Sequence, residues 1–130
     1  MQVHTQSEFD KAVALPHYCH ITINGSEEII VRNYCSKTIS AIGNSVVRIY
    51  GNSAITAAEN SAVLAYDESI VAAVGSSVIC AYDECSVYGG ACMFDSVVIH
   101  VFSKKATLAG RLNTKIIDHL NQSKAQKMPY

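Results

Sequence analysis

Residues 44–67 read NSVVRIYG, NSAITAAE and NSAVLAYD, three octads written end to end. The fourth place of each is β-branched (Val47, Ile55, Val63), the second is serine (Ser45, Ser53, Ser61), and the eighth and first hold Gly, Glu, Asp or Asn. Successive side chains of a strand alternate between faces, so the second, fourth and sixth places point one way together. A β-branched residue between two small ones fits a narrow interior between closely spaced sheets. Gly, Asn and Asp turn a chain sharply. Each octad therefore predicts one short strand and one tight corner.

The same frame runs from Ser36 to Ala91, with Ile39, Val47, Ile55, Val63, Val71, Ile79 and Val87 in the fourth column. Tyr18, Tyr34, Tyr50, Tyr66 and Tyr82 recur every sixteen residues, which is every second octad. Two octads then make one coil. The expected fold is all-β: a parallel β-solenoid (β-helix) with about 16 residues and two strands per coil, its two sheets back to back. A coil of three octads would send the tyrosines to changing faces, and an antiparallel meander would leave an inner face too long for one small helix to cover. Both rank below. Five to six coils at the ~4.8 Å strand spacing make a rod roughly 25–30 Å long.

Leu15, Ile23 and Val31 extend the fourth column backwards. Ahead of them Ser7-Glu8-Phe9-Asp10 reads as a capping box opening a short helix to about Leu15, which Pro16 ends. After Ala91 the phase breaks. Gly89 to Phe94 reads as a bulged loop, and the octads DSVVIHVF (95–102) and SKKATLAG (103–110) restart three residues out of register. In that frame His100 falls in an inward, column-six place as a core histidine. Asn113 to Ser123 reads as an amphipathic helix with Ile116, Ile117 and Leu120 on one side and His119 facing solvent. The expected organisation is one domain over 1–130: a helical N-terminal cap (1–16), coils over 17–110 with a register break near 89–95, and a C-terminal helix and tail (111–130). Such caps cover the unpaired strand edges at both ends of a solenoid.

Composition narrows the function. The chain of 130 residues is 49% apolar with a formal net charge of -1, which excludes a disordered segment and argues against direct nucleic-acid binding by a generally basic surface. Its apolar runs fall short of the ~18 residues of a membrane span, and residues 1–20 lack a signal-peptide pattern. Five cysteines without framework spacing fit reduced thiols in the cytoplasm. The charge is polarised. Residues 36–103 carry Lys37 and Arg48 against Glu59, Asp67, Glu68, Asp83, Glu84 and Asp95, a net of -4; residues 104–130 carry six cations against Asp118, a net of +5.

Outward columns carry the candidate sites. On the tyrosine-bearing sheet they read Ile30-Arg32-Tyr34, Val46-Arg48-Tyr50, Ala62-Leu64-Tyr66 and Val78-Cys80-Tyr82. So apolar a face, rich in Tyr and Arg, predicts a protein interface and a homodimer through one sheet face; the same tyrosines also stabilise the ladder by stacking. Asp67, Glu68, Asp83 and Glu84 form an acidic ridge at the adjoining corner. Such a row imitates phosphates, holds a cation, or keeps a solvated turn soluble. His17, Cys19, His20 and Cys35 are the metal candidates, but their spacing fits no standard zinc motif and no metal or other cofactor is assigned. The repeat serines lie in the inner column, where a hydroxyl bonds backbone. With no nucleophile elbow, phosphate loop or His-Glu-x-x-His, catalysis is not expected.

The octads NSVVRIYGNS and NSAVLAYDES resemble the repetitive NSxVxAYG β-solenoid proteins encoded in phages, prophages and bacterial genomes; the likeness covers roughly residues 28–91. It implies the solenoid fold and, by analogy, a phage or mobile-element inhibitor that sequesters a host defence complex, anti-CRISPR-like, through Arg32, Tyr34, Arg48, Tyr50, Tyr66, Tyr82 and the acidic ridge. The partner would be a host protein or nucleoprotein complex. A looser likeness to ice-nucleation proteins stops at the coil length, the inward serines and the tyrosine ladder, because their Thr-x-Thr arrays are missing. Bactofilin-type polymer formers share the stacked β-coil, but the expected helical cap argues against end-to-end polymers; the alternative function is a self-assembling structural module whose sheet faces or ends polymerise.

Overall fold

The computed structural model describes residues 2–15, 20–25, 27–32, 38–89, 96–110 and 114–119. Its strands form two stacks. One holds β1 (Gln2–Val3), β2 (His20–Ile23), β4 (Thr38–Ala41), β6 (Ala54–Ala57), β8 (Ile70–Ala73), β10 (Ser86–Gly89) and β12 (Thr107–Gly110) in that order. The other holds β3 (Ile29–Val31), β5 (Val46–Ile49), β7 (Ala62–Ala65), β9 (Val78–Ala81), β11 (Val98–Val101) and β13 (Lys115–Asp118). Neighbours within each stack pair in parallel, and the chain alternates between the stacks. This is a parallel β-solenoid of about six turns with one short helix near the N-terminus. Among the described residues no helix is long and apolar enough to cross a membrane.

In the middle of the rod the register follows the octads. Val46 lies beside Ala62 and Ala62 beside Val78, sixteen residues apart. The fourth column is the core: Ile39, Val47, Ile55, Val63, Val71, Ile79, Val87 and Ile99 are each at most 3% exposed. Fully burying one such side chain stabilises by about 1.5–3 kcal/mol.

Each corner follows from two columns. The eighth residue is left-handed at every described corner of the regular region, with φ between 54° and 71° at Gly43, Gly51, Glu59, Asp67, Gly75 and Asp83. Positive φ at only the first central residue is the type II′ pattern. The serine then closes the turn. Ser45, Ser61 and Ser69 each donate Oγ–H to the carbonyl three residues back, at 2.6, 2.7 and 2.7 Å, and Ser77 does so at 3.0 Å. The five second-column serines, Ser45, Ser53, Ser61, Ser69 and Ser77, are fully buried, and among the described residues no buried side-chain nitrogen or oxygen lacks a partner. Their role is structural, as their inner column predicts.

The ends depart from the frame. Thr38 lies beside His20 and Val47 beside Ile29, offsets of eighteen residues. Ile21 and Ile29 therefore take the fourth column, whereas Ile23 and Val31 stack under Ala41 and Ile49 in the sixth. Leu15 belongs to the end of the helix. Past the break, Val98 sits beside Val78 and Ser86 beside Thr107, offsets of twenty and twenty-one. The restart is four residues out rather than three, which puts Val101 in the sixth column and turns His100 outward beside Cys80. Of the expected loop, Gly89 is the last residue of strand β10 and residues 90–94 lie outside the described residues, as do Asp95 and residues 113 and 120–123 of the expected C-terminal helix. Its residues 115–118 are instead strand β13, beside β11. Backbone pairing on β11 outweighs the helical spacing of Ile116 and Ile117.

At the N-terminus α1 (Gln6–Ala14) opens two residues earlier than Ser7-Glu8 suggests. Thr5 is its N-cap and accepts from the Glu8 N–H at 3.2 Å, and Glu8 Oε1 accepts from the His4 N–H at 2.7 Å. Phe9 and Ala12 are buried against the first coil. Gln6 seals the edge of β3: its Oε1 accepts from the Ile30 N–H at 2.6 Å, and its Nε2 donates to the Ile30 carbonyl at 3.0 Å. One side-chain amide thus stands in for a missing strand.

Gln6→Ala should cost about 1–3 kcal/mol by leaving both Ile30 groups without that partner, read as a lower denaturation midpoint at unchanged m-value. Gly75→Ala should cost about 2–3 kcal/mol, because its φ is +69° and the added Cβ would stand 2.8 Å from the Glu59 nitrogen. Serine at neighbouring Ser76, whose φ is not positive, replaced by Ala should change stability little in the same titration.

Candidate interaction surface

The seventh column builds an aromatic stack. Tyr50 and Tyr66 lie 4.7 Å apart between ring centroids at 8°, Tyr66 and Tyr82 4.7 Å apart at 4°. The stack continues onto Phe102 at 4.8 Å and from there onto His119 at 4.3 Å and 5°. Parallel pairing sets the strand spacing, and the rings follow it. Phe102 and His119 were hidden in the sequence because the coils that carry them are lengthened; the strand registers of β9, β11 and β13 reveal them. His119 is therefore a half-buried end of the stack, not a solvent-facing helical residue.

Beside the rings lie the outward third and fifth columns of the second sheet. Val46, Ala62, Val78 and Val98 form one row, and Ile30, Arg48, Leu64, Cys80, His100 and Ile117 the next. Each retains partial exposure. Arg48 forms a salt bridge with Glu28 and hydrogen-bonds Tyr50, contacts that push its pKa further up. Burial raises the phenols of Tyr66 and Tyr82 and the Cys80 thiol, so all three stay protonated at neutral pH. Cys85, fully buried in the serine column, is pushed up to about 11 and is inert as a nucleophile. On the first sheet the outward side chains Ile70 and Tyr88 are 44% and 49% exposed.

The structure brings the predicted residues together unequally. Tyr50, Tyr66, Tyr82 and Arg48 share one face. Arg32 falls in the seventh column beside Tyr50, not in the fifth, and lines a cleft of about 420 Å³ with Gln6, Phe9, Asp10 and Val13. Tyr18 and Tyr34 lie outside the described residues, as do His17, Cys19 and Cys35 of the metal candidate; His20 is described, and its Nε2 lies 3.3 Å from Ser40 Oγ. Among the described residues no three His, Cys, Asp or Glu side chains cluster as metal ligands.

The acidic ridge divides into two kinds of residue. Asp67 Oδ2 accepts from the Gly51 N–H at 2.9 Å, and Asp83 Oδ2 from the Asp67 N–H at 3.0 Å. Glu59 does the same for Gly43 at 3.1 Å on the opposite corner. These carboxylates tie one corner to the next. Glu68 and Glu84 are exposed beside them, and Lys105 and Ser103 border the same depression. The ridge is therefore half corner chemistry and half free charge.

No family model, curated protein or solved structure matches the chain.

Truncating the middle of the stack tests its energetic share. Tyr66→Ala should lower stability by about 2–3 kcal/mol, from two lost ring contacts and the uncovered area, whereas Tyr66→Phe should stay within about 0.5 kcal/mol. Urea unfolding followed by far-UV circular dichroism reads both.

Proposed function

We propose that the protein is a non-enzymatic interaction module that pairs with a second copy of itself through the outer face of the second sheet. The carrying observation is the continuity of that face. Two largely apolar rows and a stack of five aromatic rings run side by side, between the Arg48–Glu28 pair toward one end and His100 and Lys115 toward the other. Contiguous apolar surface of this kind marks an interface, and Tyr and Arg supply its strongest contacts. A two-fold contact, in which one patch meets its own copy, is the commonest way to cover such a face.

The exposed Glu68 and Glu84, with Arg48 and the tyrosine corner, are the part we assign to a further partner. Its class rests on the likeness of the octads to phage-type solenoids: a host defence complex that the dimer sequesters, in the manner of an anti-CRISPR inhibitor. The inner serines are bonded to corner carbonyls and closed to substrate, in keeping with a binding role. One observation favours the alternative of a self-assembling structural module. Ile116, in the inward column of the last described coil, is 47% exposed where its equivalents are buried.

Light scattering at micromolar concentration should give twice the chain mass, and Leu64→Lys should return the monomer without loss of β-structure. A monomeric parent protein overturns the dimer; filaments that lengthen with concentration favour the structural reading. Pull-down from host lysate should recover a stoichiometric nucleoprotein complex, weakened about tenfold or more by Glu68→Lys with Glu84→Lys, since Asp67 and Asp83 must be kept for the corners. Recovery that is indifferent to both charges removes the ridge from the binding surface.

A further inference from the structure

The two ends of the rod are finished differently. At the N-terminal end β1 covers β2, Gln6 seals β3, and Val3, Phe9 and Ala12 are buried. At the other end β12 and β13 each have a strand on one side only among the described residues. Lys115 and His119 donate their N–H groups to the Val97 and Val101 carbonyls. Bonding to a neighbour alternates along a parallel strand, so the N–H and carbonyl of Ile116 point away from the rod. Its side chain stands in the core column and is 47% exposed, against 0% for Ile99 one coil earlier.

We propose that the free edge of β13 takes up an extended acidic segment of a partner protein as one more strand, with an apolar side chain over Ile116 and a carboxylate beside Lys115. In strand addition the backbone groups supply affinity and the alternate side chains supply specificity. Charge selects the occupant. The last described coil carries Lys104, Lys105 and Lys115 against Asp118, and residues 120–130 add Lys124 and Lys127 and no acidic side chain. A second copy docked by the same end would bring the same cations to this edge, and the opposite end of a copy is closed by α1. The chain's own residues 120–130 would meet Lys115 with like charge. Like charges across strands destabilise, whereas an acidic segment meets Lys115 with opposite charge. Asp118 does not oppose this: it lies in the inward row with Ile116, and Lys115 lies in the outward row, so Asp118 and the segment's carboxylates fall on opposite faces. The edge is a different surface from the sheet face and from the acidic ridge, and its use does not depend on pairing of the copies.

The probe is a capped, fluorescein-labelled peptide that alternates glutamate with valine, set against a lysine–valine counterpart. Anisotropy titration with the full chain should show saturable binding of the glutamate peptide, tenfold or more tighter than the lysine peptide. Lys104→Glu with Lys115→Glu should reverse that preference, a gain of binding that an unfolded variant could not show. In hydrogen exchange the Ile116 amide should be open in the free chain and slowed tenfold or more by the glutamate peptide. Absence of binding, or equal binding of the two peptides, overturns the proposal. So does an Ile116 amide already protected in the free chain: protection independent of concentration assigns the edge to residues 120–130, and protection that rises with concentration assigns it to a second copy.

Discussion

Parallel pairing of strand on strand governs this molecule. Once β5, β7 and β9 lie side by side in matched register, whatever occupies a position in one coil stands on its equivalent in the next. Like must therefore tolerate like. Serine hydroxyls can stack because each spends its proton on its own corner carbonyl. Tyrosines can stack because flat rings fit the strand spacing. Carboxylates are the hard case: a column of unpaired charges would repel. Asp67 and Asp83 avoid this by accepting the N–H of the preceding corner, which turns an acidic column into a chain of hydrogen bonds.

The corner explains why Gly and Asp alternate so freely there. A left-handed residue is required, which Gly meets without strain and Asp or Asn meets better than most. Where Asp or Glu stands, the strain of positive φ is offset by a bond to the coil before. Where Gly stands, as at Gly75, the neighbouring backbone leaves no room for a side chain.

The interior of the rod was legible because fold and repeat are one fact there: Val47, Val63 and Ile79 recur at the coil length and are buried for that reason. The ends were not, because their coils are one to five residues longer and the column count slips. Arg32, Ile23 and Val31 were each assigned two places away from where pairing puts them, and His100 was turned to the wrong face. The C-terminal error has a different origin. Lys115 to Asp118 carry a helical spacing of apolar residues, but a free strand edge on β11 offers four residues of backbone pairing that an isolated short helix cannot match. The candidate surface was half visible: the tyrosines announced themselves, whereas Phe102 and His119 joined the stack only through the altered register.

The invariant offset of the central coils makes the length of the rod separable from everything else. Joining Gly51 directly to Glu68 would excise one complete coil and rebuild a corner of the same form, Tyr50-Gly51-Glu68-Ser69. The Asp83 carboxylate would then stand where Asp67 did, ready for the Gly51 N–H. Copying the same segment would add a rung instead. Neither event touches α1, Gln6 or the histidine-bearing end. A lineage carrying this architecture can therefore adjust its span by whole coils through ordinary tandem duplication, each step preserving the corner chemistry and the face that the coils display.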